Sequence, residues 1–284
     1  MFKKYLATKE DLQAIDEGLR YVWHSKMNFV FEDRNKIKDV PVISYDAENF
    51  YLWSNQKFSD LEKIPNNFKK YTLYKITHNL KKIPEKWQRG WFSGIKIEKI
   101  KEVLFKKTKK YLDGPNGGLL TPFIKSHPHD PYHTYESYLA TIIHEFGHIY
   151  WASFKLWWLS ENSTNLRSLK IAEKLYSNLK PNLEKYSPTF PVLPAFGEVF
   201  AFCAEYYASS LFWPTYKRNL DEFTKERIEK LEEEEKSKDL TKEDSVLEPT
   251  RNSHDFAFIF GKIIITQKPR SWPKLLTQPY QLKF

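Results

Sequence analysis

The stretch TIIHEFGHIYW, residues 141–151, decides how the rest of the chain is read. It holds two histidines four residues apart, His144 and His148, with Glu145 directly after the first. On a helix this spacing puts both imidazoles on one face, about 6 Å apart along the axis, where they can converge on one ion. Zinc suits imidazole nitrogens and tolerates a tetrahedral site with one open position. Glu145 leaves the helix at a different angle, so it reaches a water on the metal instead of the metal itself. Zinc lowers the pKa of bound water from about 15.7 towards about 7, and a carboxylate can then take the proton. The activated water attacks a carbonyl that the metal also polarises.

The flanks strengthen the motif. Thr141 and Ile142 precede it, Phe146 and Gly147 fill it, and Ile149 and Tyr150 follow. Glu145 is the one charged residue between positions 137 and 154. Buried polar groups need partners, and a metal site explains why an apolar helix carries His, Glu and His. The plainer alternative is a pair of core histidines bonded to carbonyls.

Thr134, with Glu136 and Ser137 in the first turn, predicts a helix over 134–153. A second helix is expected over 165–179, ending before Pro181. Pro188, Pro191 and Pro194 mark an irregular connection. AFGEVFAFCAEYYASSLFW then reads as a third helix, from just after Pro194 to just before Pro214.

Upstream, Thr8 and Asp11 form a capping-box pattern, and Leu12, Ile15 and Leu19 repeat at helical spacing. MNFVFED (27–33) and VPVIS (40–44) read as extended. Ile95 and Ile97 alternate with charged residues as in a strand, DGPNGG (113–118) is a turn, and 119–124 a short strand. His24 and His78 stand alone and read as structural. His127, His129 and His133 lie in a proline-broken loop. Downstream, the charge-rich 221–244 is expected as a solvated helix or an insert, and SHDFAFIFGKIII (253–265) as apolar helix or strand. The tail from 267, with three prolines, is expected to run extended over the surface. No internal repeat is present.

Composition bounds the class. A chain of 284 residues with 17% aromatics can bury a core, which excludes disorder throughout. Nine glycines argue for helices and loops over a glycine-punctuated sandwich. The formal charge of +9 favours acidic partners, but the lysines are spread along the chain with no basic arm, which argues against a nucleic-acid surface. A single cysteine, Cys203, cannot form an internal disulfide. The start shows no leader pattern and no run of 18 apolar residues occurs, so a cytoplasmic location is expected.

The motif with its flanks, TIIHEFGHIY, resembles the extended His-Glu-x-x-His signature of the zincin metallopeptidases. The resemblance covers this helix and, less fully, the helix after Pro194. It implies a zinc-dependent metalloendopeptidase acting on a peptide or protein substrate. One Zn2+ would be held by His144 and His148, with Glu145 as general base. The implied fold is α+β: a zincin-like catalytic domain over 86–284, with a small mixed sheet and the motif helix, preceded by an accessory region over 1–85.

The third ligand separates the branches. Metzincins would need glycine and histidine where this chain has Trp151 and Phe154. Peptide deformylases use a cysteine upstream of the motif, and Cys203 lies downstream. Proteases of the SprT type use a third histidine, for which His254 is the one downstream candidate. Gluzincins, of the thermolysin and anthrax lethal-factor type, use a glutamate on a later helix, followed three positions on by a small residue. Glu198 (EVFA) and Glu205 (EYYA) both fit. They are seven residues, or about 10.5 Å, apart, so only one can reach the ion. Glu198 is preferred because Gly197, Ala201, Ala204 and Ala208 line its stripe and its form is closer to the lethal-factor type. Phe202, four residues on, counts against it, and Glu205 stays open as the alternative. The resemblance also implies an oxyanion donor, with His254 ranked ahead of Tyr206, Tyr207 and His133. It implies a substrate strand added to a sheet edge, for which 119–124 is the candidate. A reading from a second class is a basic nucleic-acid- or protein-binding module whose metal site is structural, a SprT-like DNA-associated protease included.

Overall fold

The computed structural model describes residues 6–46, 48–78, 119–121, 123, 134–156, 196–237 and 249–278. The strand expected at 95–97, the turn at 113–118, the helix at 165–179 and the loop histidines 127, 129 and 133 lie outside these residues. The architecture is α+β. The chain divides into two compact units, Met1–Ile149 and Tyr150–Phe284.

The first unit opens with α1 (Lys9–Val22), closed at its N-terminus by the expected capping box. Asp11 N–H donates to Thr8 Oγ1, and Asp11 Oδ2 accepts from the Thr8 N–H. Ala14, Ile15, Leu19 and Val22 form its fully buried face. The segment 27–33 departs from the extended expectation: a 3-10 helix runs Ser25–Phe29. Met27, Val30 and Phe31 are all fully buried, and their i, i+3, i+4 spacing is helical.

The sheet contains β1 (Val42–Tyr45), β2 (Asn49–Ser54), β3 (Glu62–Ile64), β4 (Thr72–Thr77) and β5 (Leu119–Leu120). Its order is β3-β4-β2-β1-β5. The first four strands pair antiparallel, and β5 runs parallel to β1. VPVIS therefore supplies a strand as expected, while the expected 119–124 strand begins with β5, which is at an edge among the described strands. Strands β1–β4 all fall within the segment expected to be accessory. Every residue of β2 is buried, so both faces of the central strand are covered. Asp46, in the β1–β2 turn, gathers the chain around it: Oδ1 accepts from the Glu48 and Asn49 N–H groups, and Oδ2 from Ala7 N–H and Tyr51 Oη.

Helix α1 joins this sheet to the motif helix α2 (Tyr135–Ala152). On one side, buried Asp16 accepts from Trp53 Nε1 of β2 at 2.8 Å and from the Asn67 N–H. On the other, Gly18 lets Ile142 come so close that a Cβ at position 18 would sit 2.4 Å from Ile142 Cδ1. The N-cap of α2 is reciprocal, with Ser137 N–H on Thr134 Oγ1 and Thr134 N–H on Ser137 Oγ.

The division between units falls inside α2, which runs through it unbroken, so Tyr150 and Trp151 count with the second unit. The helix ends at Ala152, and three residues on Lys155 takes a left-handed conformation, φ 59°. The second unit contains α3 (Phe196–Phe212), α4 (Pro214–Ser237), α5 (Pro249–Gln267) and α6 (Trp272–Thr277). Pro214 stands at the first position of α4, where its missing N–H costs nothing and its fixed φ suits the helix. Tyr216, Leu220 and Thr224 are buried, one per turn, so the start of the charge-rich region is packed. Gly261 of α5 lies against Phe202 and Cys203 of α3, where an added Cβ would meet Phe202 Cδ1 at 2.5 Å.

The tail departs from expectation. Instead of lying extended, its described part includes α6, with Pro273 in the first turn and Trp272, Leu275 and Leu276 buried. Among the described residues, no helix is long and apolar enough to cross a membrane.

Candidate metal centre

Helix α2 sorts its residues by face. Ile142, Ile143 and Phe146 are fully buried, while His144, Glu145 and His148 are half-buried and open to one side. The apolar residues anchor the helix, and the polar ones keep partial exposure.

The two imidazoles converge. Nε2 of His144 and Nε2 of His148 are 3.1 Å apart, and the rings meet edge to face with centroids 4.9 Å apart. Two nitrogens bound to one zinc at about 2.0–2.1 Å and a tetrahedral angle lie about 3.3–3.4 Å apart, so the observed separation fits a shared ion. Glu198 completes the group. One ligand atom from each of His144, His148 and Glu198 lies within 4.8 Å of the other two, and all three residues are half-buried. Two imidazoles and a carboxylate are a donor set that zinc accepts in an open site.

Packing at the ends of α2 and α3 explains the placement of their polar residues. Tyr150, two residues after His148, stacks on Phe200, two residues after Glu198, with ring centroids 5.7 Å apart. Trp151, whose identity argued against a metzincin, is buried and donates from Nε1 to Leu276 O at 3.1 Å. Phe200 also meets Trp272 of α6 at 5.5 Å. The tail thus buttresses both helices, a role its proline-rich sequence did not suggest.

Glu205 is placed differently. It is buried, and its Oε1 accepts from Tyr216 Oη at 2.6 Å. The phenol of α4 therefore occupies the carboxylate one heptad along α3. Phe202, which counted against Glu198, is core: it packs against Phe258 and Gly261.

Of the candidate oxyanion donors, Tyr206 and Tyr207 have described side chains, both on α3. Tyr206 Oη donates to Asp221 at 2.8 Å, and Asp221 also pairs with Lys217 and Lys262. Those partners hold Asp221 below the usual carboxylate range, although burial alone would raise it. Tyr207 is half-buried beside Trp272, and burial raises its phenol. His254 falls on α5, with its side chain outside the described residues, as is all of His133.

The remaining singled-out residues are structural. Nδ1 of His24 accepts from the Lys26 N–H at a 3-10 helix start. His78 is buried on Phe50 and bonded to the Asp46 carbonyl, and burial lowers its pKa. Cys203 is fully buried, its thiol pushed up by burial and directed at Gly261 O.

Tyr138 of α2 is fully buried and shares a side-chain hydrogen bond with Thr121, which follows β5. Thr121 N–H in turn donates to Ile43 O of β1. The motif helix is thereby tied to an edge of the sheet, two turns before its first histidine. Comparison with protein-family models, with curated proteins and with solved structures gives no match.

Proposed function

We propose that the protein is a zinc-dependent metallopeptidase of the gluzincin-like kind, hydrolysing peptide bonds with Glu145 as general base. One observation carries this reading: His144, His148 and Glu198, on two helices, bring their ligand atoms within 4.8 Å of one another, on the helix that also carries Glu145. Three protein ligands are the number that leaves a coordination position for water and substrate.

When bound, zinc supplies a water with pKa near about 7 and a Lewis acid for the scissile carbonyl. The chain's own residues do the rest. His144 and His148 present Nε2, and Glu198 adds a carboxylate whose charge offsets part of the ion's. Glu145 is half-buried, so its carboxylate stays within reach of a bound substrate. It takes a proton from the attacking water and gives it to the departing amine nitrogen, one group serving as base and then acid. Edge strand β5, tied to the motif helix through Thr121 and Tyr138, is the candidate rail on which an extended peptide aligns.

The test is Glu145→Gln, which keeps shape and removes the base. Zinc content, measured by atomic emission, is expected to stay at the wild-type level. Hydrolysis of an unfolded protein substrate is expected to fall by about 10²–10⁴, the usual worth of a general base. Full activity in this variant would refute the mechanism and favour a structural metal site.

A further inference from the structure

A second cluster, in the first unit, has no part in the proposed hydrolysis. Two cations share one indole ring. Lys70 Nζ stands 3.3 Å from the centroid of Trp23, and Arg34 Cζ stands 5.3 Å from it. The two charges are therefore at most about 9 Å apart, within roughly one Debye length at physiological salt. Cation–π attraction holds each to the ring, but the ring carries no net charge and cannot neutralise either. Among the described residues, neither cation pairs with a carboxylate. Arg34 Nη2 donates to the His24 carbonyl at 2.7 Å, which fixes the guanidinium in place. Its Nε–H is buried and donates to no acceptor.

The cost of this arrangement is visible. Burial and the neighbouring Arg34 lower the Lys70 ammonium, and burial lowers the Arg34 guanidinium. Two like charges on one ring, beside a buried donor with no acceptor, leave a positive charge that an anion would offset. Trp23 is itself positioned, because its Nε1 donates to Tyr71 Oη at 3.3 Å and Tyr71 is buried. The site is thus built on a fixed base. Asp39 acts electrostatically on Tyr71, and its side chain accepts from Asn55 Nδ2.

We propose that Arg34 and Lys70, seated on Trp23, form an anion-binding site for a dianionic phosphate, either free or as a monoester. The charge match selects this class. A phosphate monoester carries about −1.5 to −2 at neutral pH and three acceptor oxygens, against two cations and a free N–H donor. A carboxylate or a phosphodiester carries a single charge and leaves one cation uncompensated. This site is independent of the metal centre and of the activity proposed for it.

The test uses the full chain and inorganic phosphate at fixed ionic strength, with chloride and acetate as controls. The readout is the indole N–H resonance of Trp23, assigned through Trp23→Phe. Phosphate is expected to shift that resonance saturably and more than acetate. Arg34→Gln and Lys70→Gln are each expected to weaken binding at least about tenfold, the worth of one charge-assisted contact. Circular dichroism and the melting midpoint in chloride show that both variants fold. A shift equal to that with acetate, or equal affinity in both variants, overturns the site. A short single-stranded oligonucleotide is the third arm. If it binds through the same two residues and more tightly than phosphate, the monoester assignment is overturned in favour of a nucleic-acid backbone.

Discussion

The contact between Gly18 and Ile142 can be measured as a coupling energy. In Gly18→Ala the new Cβ would meet Ile142 Cδ1 at 2.4 Å, its Cβ at 3.2 Å and its Cγ1 at 3.3 Å. The first atom can swing aside by rotation. The other two lie close to the α2 backbone, so α1 and α2 must separate by a few tenths of an ångström. Overpacking of this kind costs about 1–3 kcal/mol, and replacing glycine by alanine inside a helix returns about 1 kcal/mol. The net loss is about 0–2 kcal/mol, too uncertain in sign to be decisive alone. The double-mutant cycle is decisive. Ile142→Val removes Cδ1 and by itself costs about 0.5–1.5 kcal/mol. In the Gly18→Ala background the same truncation removes the clashing methyl, so it costs less or stabilises. A favourable coupling of about 1–2 kcal/mol is expected, given that independent sites add within about 0.3–0.5 kcal/mol. Urea denaturation of the four proteins gives the number. Additive losses within that margin would show that α1 does not bear on Ile142, and the account of how the N-terminal helix seats the motif helix would be wrong.

Other outcomes follow from the same geometry. Glu198→Gln is expected to lose zinc while Glu205→Gln keeps it; the reverse metal contents would reassign the third ligand to Glu205. Tyr216→Phe strips the buried Glu205 carboxylate of its phenol and is expected to cost about 1.5–3 kcal/mol in a denaturation curve with zinc content unchanged. Burial puts the folded-state pKa of His78 below its unfolded value, so below about pH 6.5 the unfolded chain binds more protons. Its contribution is therefore full above that pH and is lost as pH falls, and His78→Phe should flatten the decline in stability between about pH 7 and about pH 5. Trp272→Ala empties a fully buried site against Phe200 and is expected to cost about 3–5 kcal/mol by thermal or chemical unfolding.

Where local signals acted alone, the sequence was easily read. Thr8 with Asp11 and Thr134 with Ser137 announced two helix starts, because a capping side chain satisfies backbone donors within its own turn. Pro194 and Pro214 bracketed the third helix because proline lacks the donor that an interior position needs. The misreadings came where one pattern admits two periods or where burial decides. Residues 27–33 show aromatic alternation, but the burial of Met27, Val30 and Phe31 follows a helical period. The tail prolines suggested a segment extended over the surface, yet Pro273 sits where a helix tolerates it, and the burial of Trp272 against Phe200 is not revealed by local sequence.

The candidate centre divides along the same line. The sequence by itself placed His144, Glu145 and His148 on one helix, because a four-residue spacing is converted to a shared face by helix geometry alone. It narrowed the third ligand to two glutamates a heptad apart and could go no further, since residues seven apart present the same face. Only the tertiary structure gives the two glutamates different surroundings. Glu198 comes within 4.8 Å of both histidines, while Tyr216, contributed by another helix, takes the Glu205 carboxylate. Such surroundings depend on side-chain packing, of which the stacking of Tyr150 on Phe200 and the bond from Trp151 to Leu276 are examples, and packing is not written in any local window of the chain.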